Sequence, residues 1–288
     1  MFTPRNMPTV AIIGAGDLGG TLAYTLCLRD RITEVRLVDE RADLAVGKAL
    51  DIQQAGSVER FDTKLRTSGD LAMAVGANVV VLADTAGARP TEYTDGTGLA
   101  KLRRVIEQDR DAVIVCAGAG QQPLIQQAIL DGFVDRQRIV GSAPAALASA
   151  IRAIVALEAD CSPRDVALSV LGLPPTAAVV TWDSATVGAA PIADALSAHA
   201  VARIKARVAH LWPPGPYALA AAASGVCEAI ASGHSRPAFS CFCGLERQPS
   251  DRVVAVQVRL DGQGICERLS PSLSPGERVE FDSALARA

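Results

Sequence analysis

Gly14-Ala15-Gly16-Asp17-Leu18-Gly19 has the spacing G-x-G-x-x-G, directly after the apolar run Val10–Ile13 and at the head of a helical pattern. Each glycine has its own task in such a turn. The first permits a tight bend, the second lets a pyrophosphate approach the backbone, and the third lets helix pack on strand. The helix N-terminus adds free N–H groups and the positive end of a dipole. Asp39 closes a second strand-like run 20 residues beyond Gly19. A carboxylate at that place accepts hydrogen bonds from ribose hydroxyls and repels a 2′-phosphate, which favours NAD over NADP. An isolated glycine turn can simply join a strand to a helix, and a carboxylate at a strand end can simply be solvated. The strand context, Asp39 and the pattern that follows favour the dinucleotide reading.

That pattern is an alternation. Strand-like runs at Val10–Ile13, Glu34–Val38, Val79–Leu82, Ala112–Cys116 and Ile139–Gly141 alternate with helical stretches at Gly19–Arg29, Ala42–Ala55, Leu99–Gln108 and Leu124–Leu130. Repeated βαβ units imply a mainly parallel, doubly wound α/β sheet of Rossmann type. After about residue 143 the pattern changes. A helix over Pro144–Glu158 leads to strands at Asp165–Leu171 and Val179–Thr181, and then to helices at Ile192–Ala209 and Tyr217–Ser232. Strands at Ala238–Gly244 and Arg252–Asp261 and a helix from Ser274 complete the chain. The expected organisation is a Rossmann domain over 1–142 and a C-terminal α+β domain over 143–288.

With 288 residues, 49% of them apolar, the chain can bury a sizeable core in each part. A net charge of −3 gives no general attraction to nucleic acid. No apolar run reaches the ~18 residues of a membrane span; the stretch Ala218–Ile230 is too short and contains Glu228. The start of the chain has no separate charged and apolar regions before a cleavage site, so a cytoplasmic protein is expected. Cysteines at 27, 116, 161, 227, 241, 243 and 266 are odd in number and scattered, as in a reduced core rather than a disulfide framework. Cys241 and Cys243 share one face of a strand but have no histidine at metal-binding spacing, so no metal is expected.

Several further motifs follow one another in a recognisable order. They are GKALDI at 47–52, TAG at 85–87, SPRDV at 162–166, WDSATVGAAPI at 182–192, YALAAA at 217–222 and the hairpin AVQVRLDGQGICE. With GAGDLG they resemble the lactate/malate dehydrogenase family along almost the whole chain. The resemblance implies NAD as cofactor, held by Gly14, Ala15, Gly16, Asp17, Leu18, Gly19 and Asp39, with Thr85, Ala86 and Gly87 beside it. It also implies a homodimer or homotetramer, with contacts through the helix bearing GKALDI.

The family's chemistry needs a proton-carrying histidine, an aspartate that orients it, and arginines that grip a 2-hydroxy or 2-oxo acid. On the frame of Gly172, Trp182, Ala185, Val187, Gly188 and Pro191, the histidine position is Pro174. Proline has no titratable group. The aspartate position falls on Leu147 and the carboxylate-gripping arginine on Ala150, while Arg152 keeps the last arginine of that motif. The loop after TAG has no arginine between Thr91 and Leu102, where Thr94 or Gly96 takes the place of the carbonyl-polarising one, and Arg89 lies too early to replace it. The family's asparagine is missing from CAGAG at Cys116–Gly120. No residue here is assigned as catalytic. His199, His210 and His234 lie in surface-type contexts, and Tyr93, Asp95 and Asp183 have no identifying spacing. Leu147, Ala150, Leu173, Pro174 and Pro175 would line the substrate position with apolar groups. Three functions stay open: an NAD-binding member without 2-hydroxy acid dehydrogenase activity, an oxidoreductase for a neutral or apolar alcohol or carbonyl, and a non-catalytic structural or regulatory subunit.

Overall fold

The run Thr9–Ile13 (β1) is buried at every position, as a strand covered on both faces of a parallel sheet must be. It lies at the centre of a computed structural model that describes residues 8–84, 96–233, 237–246 and 252–287. From β1 the chain passes through Asp17–Arg29 (α1), Glu34–Val38 (β2), Ala42–Glu59 (α2) and Lys64–Ser68 (β3). It then returns to Val79–Leu82 (β4), Thr97–Gln108 (α3), Val113–Cys116 (β5), Gln122–Leu130 (α4) and Ile139–Gly141 (β6). The strand order β3-β2-β1-β4-β5-β6 is parallel throughout. This is the expected Rossmann arrangement.

The chain runs outward from β1 to β2 and β3, then crosses back to β4 on the other side of β1. That reversal opens a crevice at the carboxyl ends of β1 and β4, where ligands of such sheets bind. Register makes the placement exact to the residue. Ile13 faces Val38 on one side and Leu82 on the other. Gly14, Asp39 and Ala83 therefore leave the sheet side by side.

After Ala143–Ala159 (α5) come Val166–Ala167 (β7), Val170–Leu173 (β8), Ala177–Val180 (β9), Thr186–Val187 (β10) and Ala190–Pro191 (β11). Next are Ile192–Ala195 (α6), Ala198–Arg207 (α7), Pro216–Ala231 (α8), Phe239–Leu245 (β12), Arg252–Asp261 (β13), Gly264–Leu269 (β14) and Pro275–Arg287 (α9). The β12, β13, β8 and β9 strands extend the main sheet antiparallel beyond β6, with Phe242 paired to Gly141. Residues of β12, β13 and α8 join the core of the first sheet, and a second apolar cluster gathers α5, α7 and their neighbours.

Two expectations are corrected, and one strand appears that none foresaw. The helix expected over Ile192–Ala209 is broken, because Ser197 is extended and its Oγ accepts from the Ala200 N–H at 3.2 Å, starting α7 afresh. The strand expected over Asp165–Leu171 divides into β7, which joins a small three-stranded sheet with β10 and β11, and β8 in the main sheet. The β3 strand was not expected: its only fully buried side chain is Leu65, so it lacks an apolar run.

Candidate dinucleotide site

The glycine turn is shaped by contacts that leave no room for side chains. The Gly14 N–H donates to the Val38 carbonyl at 2.7 Å, and Gly14 has φ of +108°. A Cβ on Gly19 would lie 1.9 Å from the Gly14 carbonyl oxygen. The helix α1 begins at Asp17, and Gly20 N–H closes its first turn on the Gly16 carbonyl at 3.0 Å. The first and third glycines thus do what their positions require.

Asp39 is only 3% exposed and sits against the turn. Its Oδ2 accepts from the Ala15 N–H at 2.7 Å, and its Oδ1 accepts from the Arg41 N–H at 2.9 Å. The carboxylate expected at the ribose position is therefore fixed in orientation by backbone on both sides. Lys48 of α2 reaches the same turn, donating from Nζ to the Gly16 carbonyl at 2.7 Å, with Asp17 Oδ1 at 3.9 Å.

One residue at the turn was not foreseen. Asp84 follows β4 by two residues and is 4% exposed. Its Oδ2 accepts from the Leu18 N–H at 3.0 Å and its Oδ1 from the Gly19 N–H at 2.8 Å. Its backbone carbonyl accepts from the Gly16 N–H at 3.1 Å. A Cβ on Gly16 would lie 2.4 Å from both Cγ and Oδ2 of Asp84. The space cleared by the second glycine is thus taken up by this carboxylate. Burial raises the pKa of Asp84; the Gly19 and Leu18 N–H groups and Lys48 oppose that shift, and Asp17 adds to it. The one sequence signal was an acidic residue just past a buried strand end, and it gained meaning only from the β1–β4 register.

Thr85, Ala86 and Gly87, with Arg89, Tyr93 and Asp95, lie outside the described residues, as does His234. Of the positions in the C-terminal half, Leu147 is 1% exposed and belongs to the second apolar cluster. Pro174 is buried directly after β8, Ala150 and Leu173 are half-buried, and Pro175 is exposed. The Arg152 guanidinium donates from Nη2 to the Leu168 carbonyl at 2.6 Å. His199, His210 and Asp183 are exposed, and Trp182 is half-buried with Lys205 Nζ 5.5 Å above its ring centroid.

The three glycines, the α1 N-terminus and buried Asp39 are the parts that a dinucleotide turn requires. Comparison with known proteins agrees. Residues 8–95 match the family described as lactate/malate dehydrogenase, NAD binding domain. The chain is 31% identical to a malate dehydrogenase of Thioalkalivibrio sulfidiphilus, covering 97% of both chains. It is 31% identical to one of Thermomicrobium roseum, covering 94% of this chain and 92% of that one. Among solved structures, the lactate dehydrogenase of Cryptosporidium parvum, complexed with lactic acid and nicotinamide adenine dinucleotide, superposes with a TM-score of 0.88 at 20% identity, over 100% and 96% of the two chains. The malate dehydrogenase of Salinibacter ruber gives 0.84 at 23% identity, over 97% and 94%. Alike along nearly its whole length to these relatives, and with an NAD-binding domain at its head, the chain belongs to the lactate/malate dehydrogenase family.

Proposed function

We propose that this protein binds NAD(H) through the β1–α1 turn and Asp39, and does not interconvert 2-hydroxy and 2-oxo acids. One observation carries the reading: the position that supplies the family's proton carrier holds Pro174, buried at the end of β8. General acid–base help is worth roughly 10²- to 10⁴-fold in rate. Its loss is compounded by Leu147 at the aspartate position and Ala150 at the arginine position. Neither residue offers a counter-charge to an anionic substrate being desolvated there. The work of such a protein is sensing, scaffolding or regulation of an active relative.

The test is NADH oxidation with oxaloacetate and with pyruvate, followed by nicotinamide absorbance. We expect no turnover above background, and ordinary enzyme rates with either acid would overturn the reading. The apolar positions Leu147, Ala150, Leu173 and Pro174 favour one second reading, reduction of a neutral or apolar carbonyl. The same assay with neutral ketones and alcohols separates the two.

The reading includes a homo-oligomer, two domains divided after residue 142, and a cytoplasmic location. Val46 and Leu50, one helical turn apart on α2, are 52% and 54% exposed, and Leu28, Val58 and Tyr217 are also exposed. Tyr217 also lines a cleft of about 630 Å³ between α1, α2 and the start of α8. Such a surface is what an association between copies would cover. Sedimentation of a monomer at micromolar concentration would remove that part of the reading.

A further inference from the structure

Asp84 bears on the cofactor site in a way that the glycine motif alone does not reveal. A dinucleotide brings a diphosphate with two negative charges to the N-terminus of a helix, where backbone N–H groups receive it. At α1 the N–H groups of Leu18 and Gly19 already donate to the two oxygens of one carboxylate, at 3.0 and 2.8 Å. The volume that Gly16 clears by lacking a side chain is the volume in which that carboxylate sits. Asp84 is nearly inaccessible to solvent, so it is not a surface residue that swings away freely.

The local charge points the same way. Asp17 at the first turn of α1, Asp39 after β2 and Asp84 after β4 place three carboxyl groups around the turn. Lys48 from α2 is the cation acting on Asp84, and its ammonium is engaged by the Gly16 carbonyl and lies near Asp17. A diphosphate entering this position meets like charge and finds the Leu18 and Gly19 N–H groups taken.

We propose that Asp84 is an internal anion that occupies the phosphate subsite of the dinucleotide cradle and must leave it before NAD(H) can dock. This rests on the NAD-binding reading above. The residue then sets specificity: it holds diphosphate affinity low while leaving adenosine contacts at Asp39 untouched.

The experiment is calorimetric titration of the intact protein, and of its Asp84→Ala and Asp84→Asn variants, with NADH, ADP and adenosine. A charged competitor removed from a buried hydrogen-bonded position changes affinity by roughly tenfold or more. NADH and ADP should therefore bind Asp84→Ala at least about tenfold more tightly than wild type. Adenosine, which has no phosphate, should bind all three alike. Asp84→Asn keeps one acceptor without the charge and should fall between; it also serves as the test if the alanine variant fails to fold. Equal or weaker NADH binding by folded variants would overturn the proposal and make Asp84 a strut of the turn. Tightening that adenosine shares equally would also overturn it, because the effect would not lie at the phosphates. If none of the three proteins binds NADH, ADP or adenosine, the cofactor reading itself fails and this inference falls with it.

Discussion

Asp39 Oδ2 and the Ala15 N–H are joined at 2.7 Å across 24 residues of sequence, which ties the end of β2 to the middle of the glycine turn. The parallel register of Ile13 with Val38 brings them together, and both are buried. This carboxylate shapes the turn through Oδ2, and in the proposed reading it also receives the ribose.

Replacing it should expose both. Asp39→Ala leaves the buried Ala15 N–H without an acceptor, at a cost of about 1–3 kcal/mol of stability. It should also weaken NADH binding by roughly tenfold or more, since charged hydrogen bonds to ribose are lost. Urea unfolding and fluorescence titration measure the two effects separately. Unchanged affinity would mean that the ribose is held elsewhere.

The parts of the fold that the sequence announces are those governed by local pattern. Buried runs such as Val10–Ile13 and Val79–Leu82, and the glycines between strand and helix, carry their own periodicity and turn chemistry. What stays hidden depends on partners distant in sequence. The strand Lys64–Ser68 has mixed polarity because it lies at the sheet edge beside β2. Asp84 looks like an ordinary loop acid until the pairing of Ile13 with Leu82 sets it against Leu18 and Gly19. The split of Ile192–Ala209 depends on a single serine cap that composition outweighs.

Acid titration should report Asp84. Its folded pKa is raised, chiefly by burial, above the ordinary value near 3.8. Between those two values the folded state binds more protons than the unfolded chain, so this group's contribution to stability falls as pH rises through that window. Below about pH 3.8 and above the raised value its contribution is flat. Asp17 of α1, Lys48 of α2 and Asp39 after β2 face the same turn, so the effect must be isolated by difference. The stability of wild type minus that of Asp84→Asn should decline as pH rises from about 3.8 through the raised pKa and be flat above it. A flat or rising difference within that window in chemical denaturation would contradict the shift.

Thiol chemistry should separate the cysteines by burial. Cys27 is pushed up to about 12 and Cys243 to about 11, mainly by burial. Burial also raises Cys116, Cys227 and Cys241. The thiolate is the reactive form, so these five should resist an aromatic disulfide reagent in native protein at pH 8. Cys266 is exposed and should react first, with half-buried Cys161 following more slowly. All seven should react in denaturant. Rapid native labelling of five or more would mean that the core opens readily.

The sharpest check of the turn is a pair of alanines placed where a methyl group can fit only if a neighbour is gone. Gly16 has φ of −70°, an ordinary value, so an added Cβ brings no backbone strain of its own. It does meet Asp84 Cγ and Oδ2 at 2.4 Å. Gly16→Ala alone should therefore cost about 1–3 kcal/mol of stability, as overpacking in a tight site does. In an Asp84→Ala background those carboxylate atoms are absent and most of that cost should vanish, a coupling of about 1 kcal/mol or more. Gly19→Ala is the control, because its Cβ would strike the Gly14 carbonyl oxygen at 1.9 Å, which Asp84→Ala leaves in place. Its cost should be the same in both backgrounds. Additive effects of Gly16→Ala and Asp84→Ala in urea unfolding would mean that the carboxylate does not fill the space the second glycine clears.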